Sequence, residues 1–254
     1  MFGSRHPTDT VVRSKSTPTD PVTVVDTETE TLLRNRLAEL RPADAVLGEE
    51  GGGPTPGQLD RVGEVTWVLD PIDGTVNFVY GFPAFSVSVA ACVDGEAVAG
   101  AVADVSSGEL YSAGRRLGAH VQGPEGRRRL HCTNADELSM ALVGTGFSYR
   151  PDRRAAQARL LTALLPQVRD VRRMGSAALD LCMVAAGRLD AHYEHGLHIW
   201  DWAAGALIAA EAGARVLTPA RDAPESSLLL AAAPQVADQL CGALQRLDAL
   251  DVLR

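Results

Sequence analysis

Beyond Pro21, apolar positions Val22, Val25, Leu32, Leu33, Leu37 and Leu40 recur at approximately helical spacing and stop before Pro42, which predicts one amphipathic helix. The residues ahead of it, 1–19, are polar, carry Pro7 and Pro18, and read as an extended arm. Gly48, Glu49, Glu50, Gly51, Gly52 and Gly53, followed by Pro54 and Pro56, form a flexible loop in this reading. Val65 to Leu69 is a short apolar run suited to a buried strand, ended by the turn-forming string Asp70-Pro71-Ile72-Asp73-Gly74-Thr75. From about Phe85 to Leu130, short β-prone runs separated by Asp94-Gly95, Ser107-Gly108 and Gly123 predict an antiparallel meander. Helical patterns return over residues 155–165, 176–187, 201–212 and 236–250, interleaved with strand candidates over 141–144, 189–194 and 228–232. The pattern therefore predicts an α+β half over residues 20–140, holding the antiparallel sheet and the acidic motifs, and an α/β half over 141–254. Together they make one domain, with no fixed-period repeat.

Composition narrows the class. With 46% hydrophobic and 22% charged residues in 254, the chain is ordinary globular protein, long enough to bury a large core without staples. A net charge of -8 sets the overall field against nucleic acid, so none is expected as a partner. The run Arg127-Arg128-Arg129 reads as a solvated loop. Cys92, Cys132, Cys182 and Cys241 show neither a CxxC pair nor zinc-like spacing and sit in apolar surroundings, which predicts four buried free thiols in a reducing cytoplasm. No apolar signal core or membrane-length run is present, so no membrane association is expected.

The candidate chemistry is acidic. Asp70 and Asp73 flank Pro71 and Ile72, so a turn can aim both carboxylates and the Ile72 carbonyl at one point, a set of hard oxygen donors suited to Mg²⁺. Gly74 and Thr75 would then offer backbone N–H groups and a hydroxyl to a phosphate at the start of a helix. Taken alone, the same string is also an ordinary turn. Glu49 and Asp201 are the further acids needed, though Glu49 has a reading as a solvated loop charge and Asp201 as the N-cap of the helix running to residue 212.

Three separated strings in this order resemble the inositol monophosphatase family: Gly48-Glu49-Glu50, then Trp67 through Phe78 containing Asp70-Pro71-Ile72-Asp73-Gly74-Thr75, then Trp200-Asp201-Trp202-Ala203-Ala204-Gly205. The similarity runs from about Lys15 to near the C-terminus and includes Pro21-Val22-Thr23-Val24-Val25-Asp26 and Gly175-Ser176-Ala177-Ala178. The resemblance implies a layered sandwich of alternating helices and sheets, usually dimeric, with Mg²⁺ in a cleft between the halves. It implies that Glu49, Asp70 and the Ile72 carbonyl hold one metal and that Asp70, Asp73 and Asp201 hold another. Gly74 and Thr75 would bind phosphate, Glu49 and Thr75 would position the attacking water, and Asp26, otherwise a helix-surface charge, would hydrogen-bond Thr75. Lys15 matches a lysine of a mobile loop near the metals.

The activity so implied is Mg²⁺-dependent hydrolysis of inositol monophosphate, with lithium inhibition, by a cytoplasmic homodimer acting on a small phosphorylated polyol. Ala177 and Glu194 are the expected sugar contacts, Glu194 accepting hydrogen bonds from vicinal hydroxyls. His195 and His198 are expected to pack or solvate, because oxygen ligands already serve a hard cation. Histidinol phosphate and fructose 1,6-bisphosphate remain alternative substrates, and a non-catalytic binding protein on the same fold remains a second class. Family members also carry a long helix ahead of the Lys15 region, where this sequence has a short polar arm. Either the start is misassigned or truncated, or a supporting element is absent, and in the second case the helix beyond Pro21 is expected to expose apolar surface and to loosen around Asp26 and Lys15.

Overall fold

Pairing of the β-prone runs organises the molecule. The computed structural model describes residues 11–14, 21–54, 63–220 and 227–250. A short antiparallel ladder joins β1 (Val11–Ser14) to β2 (Pro21–Thr23), which leads into helix α1 (Val24–Leu40). A seven-stranded sheet follows, built from β3 (Ala45–Gly48), β4 (Val65–Asp73), β5 (Ser86–Val93), β6 (Glu96–Asp104), β7 (Glu109–Gly114), β8 (Gly118–Gly123) and β9 (Gly126–Arg129). The strands lie in sequence order, β3 parallel to β4 and each later pair antiparallel, as hairpin connections require. Helix α2 (Thr75–Tyr80) interrupts the run between β4 and β5.

The second half contributes β10 (Leu142–Thr145), α3 (Pro151–Leu164), β11 (Asp170–Arg172), α4 (Ala177–Ala185), β12 (Ala191–His195), α5 (Ile199–Glu211), β13 (Arg215–Leu217), β14 (Leu228–Ala232) and α6 (Pro234–Arg246). Its five strands are ordered β11-β10-β12-β14-β13, parallel around β10 and antiparallel around β14. Helices α4 and α5 are apolar on almost every side because they lie between the sheets. Ala178, Leu179, Ala204 and Ile208 pack on Val68, Val102 and Val121 of the large sheet, while Leu181, Ala206 and Ala209 pack on Leu229 and Ala231 of the small one. The outer face of the small sheet carries Tyr193 and Leu230, covered by Leu160 and Leu164 of α3 and Leu240 and Leu244 of α6. With α1 against β4, the layers alternate helix, sheet, helix, sheet, helix, the sandwich the resemblance implied.

Several expectations are corrected. The helix beyond Pro21 begins at Val24, because Pro21–Thr23 pair with β1 and Thr23 caps the helix in a reciprocal box with Asp26. Its inward face is polar, with Asp26 and Glu30 buried, while Val24, Val25, Leu32 and Leu40 are exposed. Asp26 is fully buried and held by hydrogen bonds rather than loosened. Lys15 lies outside the described residues, as does most of the 1–19 arm.

The Asp70 to Asp73 string is not a turn after the strand but the end of β4 itself, with a register shift against β5 between those two residues. Arg127, Arg128 and Arg129 are solvated, but on edge strand β9, where charge discourages pairing with another sheet. Cys92 and Cys182 are buried, whereas Cys132 and Cys241 are only partly so, and all four are free. Among the described residues no helix is long and apolar enough to cross a membrane.

Candidate active site

A cleft of about 370 Å³ opens where the C-terminal ends of β3 and β4 meet the N-terminal ends of α4 and α5. Its lining contains Glu49, Asp70, Ile72, Asp73, Gly74, Thr75, Ala177, Glu194 and Asp201, so every proposed metal, phosphate and sugar residue reaches one cavity. Glu49 enters on the loop after β3, whose backbone is anchored by the Glu49 N–H to the Leu69 carbonyl at 3.2 Å. Gly74 adopts the left-handed conformation, φ 93°, that turns β4 into α2, and a Cβ there would stand 3.0 Å from the carbonyl oxygens of Ala84 and Gly175. Asn77 on α2 ties this turn to the other half, donating to the carbonyls of Ala84 and Met174, each at 2.7 Å.

Asp26 does not line the cleft; it stands behind it. One of its oxygens accepts from the Thr23 N–H at 2.9 Å and the other lies 3.2 Å from the Thr75 hydroxyl, which is also 3.0 Å from the Ile72 carbonyl oxygen. Thr75 has one hydroxyl proton and two acceptors competing for it. Whichever acceptor takes the proton, the lone pairs of Oγ1 remain for a third group.

Asp73 accepts from the Ser176 hydroxyl at 2.6 Å and the Ala178 N–H at 2.7 Å, at the N-terminus of α4. Asp201 is not the N-cap of α5; His198 is, and Asp201 three residues later accepts from the His198 N–H at 2.7 Å. Burial pushes the Asp73 carboxyl up to about 6, opposed by its hydrogen bonds and by Arg173. Burial, then repulsion by Glu49 and Asp73, pushes Asp201 well above the usual carboxylate range.

Among the described residues no three Asp, Glu, His or Cys side chains already stand as a closed metal cage. The donor set nonetheless fits a small divalent cation: hard oxygens only, in one cleft, whose charges raise one another's protonation and would be relieved by a positive ion. Asp201 can serve both purposes, because one oxygen faces the His198 N–H and the other is left for a second partner.

Ala177, which begins α4, and Glu194, which projects from β12, also line the cleft. Burial pushes the Glu194 carboxyl up to about 8, with Arg173 opposing and Asp73 adding to the shift. His195 is buried and donates from Nε2 to the Ala249 carbonyl at 2.8 Å, whereas His198 is exposed and stacks on Trp200 with centroids 4.8 Å apart.

Sequence reasoning missed the supports of Glu49. Glu30 accepts from the backbone N–H groups of Glu50 at 2.8 Å and Gly51 at 2.9 Å, and from Arg34 Nε at 2.6 Å. Arg34 in turn donates to the carbonyl of Gly52 at 2.5 Å. The available signal was the series Asp26, Glu30, Arg34, a polar stripe at four-residue spacing on a helix whose apolar residues had been given the inward role. Arg150, Arg153 and Arg173, which line the cleft, carried no signal in sequence.

Comparison with known proteins points the same way. Residues 2–249 match the inositol monophosphatase family. A Mycobacterium leprae protein named inositol-1-monophosphatase is 66% identical over 241 residues, covering 94% of this chain and 83% of that protein. A Mycobacterium tuberculosis protein named inositol-1-monophosphatase SuhB is 64% identical over 244 residues, covering 96% and 84%. The solved structure of Mycobacterium tuberculosis SuhB superposes with a TM-score of 0.81 at 61% identity, covering 90% of this chain and 86% of that one.

Proposed function

The chain belongs to the inositol monophosphatase family, and from that premise we propose that it hydrolyses inositol monophosphate to inositol and phosphate, a metal-dependent reaction for which Mg²⁺ is the ion. The observation that carries this reading is the meeting of Glu49, Asp70, Asp73 and Asp201 in one cleft that Gly74, Thr75 and Glu194 also line.

In this reading Glu49, Asp70 and the Ile72 carbonyl would hold one ion, and Asp70, Asp73 and Asp201 would hold another. When bound, such ions neutralise phosphate charge and acidify the attacking water. The protein's own part is positional. The Gly74 and Thr75 backbone N–H groups, at the start of α2, orient the phosphate. With its hydroxyl proton donated to Asp26, Thr75 keeps Oγ1 lone pairs to accept from water, and Glu49 accepts from the same water. Burial of Asp26 and its bond from the Thr23 N–H fix the acceptor, so the orientation of Thr75 is set before substrate arrives. Asp73 and Asp201 touch substrate oxygens as well as metal. Ala177 and Glu194 meet the ring, where a carboxyl group hydrogen-bonded to two neighbouring hydroxyls penalises analogues lacking them.

A cytoplasmic setting is supported by the four free cysteines, and a homodimer and lithium sensitivity are carried over from the family. The halves over 20–140 and 141–254 act as one phosphatase domain with the cleft between them. A phosphate-release panel with inositol 1-phosphate, histidinol phosphate, fructose 1,6-bisphosphate and a 3′-phosphonucleotide tests the substrate. Inositol 1-phosphate should lead; an inert inositol phosphate beside rapid cleavage of another member overturns the substrate while leaving the cleft's chemistry in place.

A further inference from the structure

His192 and Glu194 stand two residues apart on β12 and therefore project from the same face of the strand. Room for them comes from the neighbouring chain. Gly144 of β10 pairs directly with His192, and a Cβ at Gly144 would come within 3.0 Å of His192 Nδ1. Just past β10, a Cβ at Gly146 would overlap the Glu194 carboxylate. Two glycines at alternate positions thus open one slot that both side chains fill.

Within that slot His192 has no exposure at all. Its Nδ1 lies 3.6 Å from Asp180 Oδ2, and its Nε2 lies 3.6 Å from Glu194 Oε2. Neither ring nitrogen makes a hydrogen bond, and Asp180 Oδ1 makes none either. A side chain kept only to fill volume would not bring two polar atoms into a dry site where each lacks a partner and costs free energy. The carboxyl oxygens of Asp180 and Glu194 face the two nitrogens, and a shift of about half an ångström brings either into hydrogen-bond range. Burial holds the imidazole neutral, down to about 3, and pushes both flanking carboxyls up, so one ring nitrogen donates to one carboxyl while the other accepts the proton that its partner carboxyl carries. Glu194 alone of the three reaches the cleft, its side chain 14% exposed.

We propose that His192, backed by Asp180, is the positioning residue for Glu194, engaging one carboxylate oxygen and so aiming the other at the hydroxyls of a polyol phosphate. The inference rests on Glu194 being the sugar-side carboxylate. It makes ring recognition depend on a side chain that never touches the ring, and it leaves the phosphate end of the cleft independent of His192.

Steady-state kinetics of the full chain with Mg²⁺ test it, using inositol 1-phosphate and 4-nitrophenyl phosphate, which offers no vicinal hydroxyls. His192→Phe should raise KM for inositol 1-phosphate about tenfold with little change in kcat, the size expected for one lost hydrogen-bond restraint. Its kcat/KM for 4-nitrophenyl phosphate should stay at the wild-type value. His192→Gln, whose amide reaches toward Glu194, should restore the native KM, and His192→Asn, whose amide reaches only toward Asp180, should not. On a Glu194→Gln background His192→Phe should add nothing.

Equal losses on both substrates, or additive losses in the double variant, would show a merely structural histidine and overturn the inference. A native KM in His192→Phe while Glu194→Gln raises it would do the same. If His192→Phe does not fold, the Gln and Asn pair carries the test: equal KM values in the two overturn it. Inositol 1-phosphate inert in the wild type beside brisk cleavage of 4-nitrophenyl phosphate would instead sink the substrate reading, and this inference with it.

Discussion

Glu30, facing inward from α1, accepts the backbone N–H of Glu50 at 2.8 Å. Through that bond, and through its neighbour from Gly51 at 2.9 Å, a helix fixes the loop that delivers Glu49 to the cleft. The same helix delivers Asp26 to Thr75 one turn earlier. Helix α1 therefore spends its buried face on polar support for the site, which explains why Leu32 and Leu40 remain exposed.

Replacing Glu30 by Ala leaves two loop N–H groups and the Arg34 Nε–H without their acceptor. The expected cost is about 1–3 kcal/mol of stability, read by urea denaturation, together with a several-fold higher Mg²⁺ requirement for phosphate release. An unchanged Mg²⁺ dependence would mean that the loop holds Glu49 without the helix.

Substitution on the other side of α1 has the opposite expectation. Leu32 is 69% exposed, so Leu32→Lys should move the unfolding free energy by no more than about 0.5 kcal/mol. A large loss would show that this face is covered.

The metal-free protein should weaken as pH rises. The folded Glu194 carboxyl titrates at about 8, above its unfolded value near 4.5. Its contribution is therefore fully present below the unfolded value and lost as pH climbs through 8. Asp73, raised to about 6, acts in the same direction. Urea midpoints in EDTA should fall between pH 5 and pH 8.5, and the slope should be shallower in Glu194→Gln. A flat profile would contradict the burial assigned to Glu194.

Mutual repulsion in the cleft gives a fourth expectation. Because Glu49 raises Asp201, Glu49→Gln should abolish phosphate release yet raise the metal-free urea midpoint at neutral pH. A lowered midpoint would mean that Glu49 has favourable contacts outweighing that repulsion.

Much of this was legible in sequence where one physical rule governed. Short β-prone runs separated by Gly-containing turns mark the strands of the meander, and the apolar run over 228–232 coincides with β14. The string from Asp70 to Thr75 and the acids Glu49 and Asp201 were found because hard-ligand chemistry and family resemblance converge on them. Other features followed from tertiary context. Asp73 sits in a strand because the β4–β5 ladder resumes past Pro71 with a register shift, which no turn propensity foresees. The polar inward face of α1 escaped notice because apolar periodicity alone assigned the core side. His192 looked like any strand residue until Gly144 and Asp180 were placed around it.

The most direct test of the central claim is phosphate release from inositol 1-phosphate as Mg²⁺ is titrated from EDTA-treated protein, with Asp70→Asn alongside. The account predicts saturable dependence on Mg²⁺, no turnover in EDTA and a silent variant. Turnover that persists in EDTA, or an Asp70→Asn protein as active as the wild type, would contradict it.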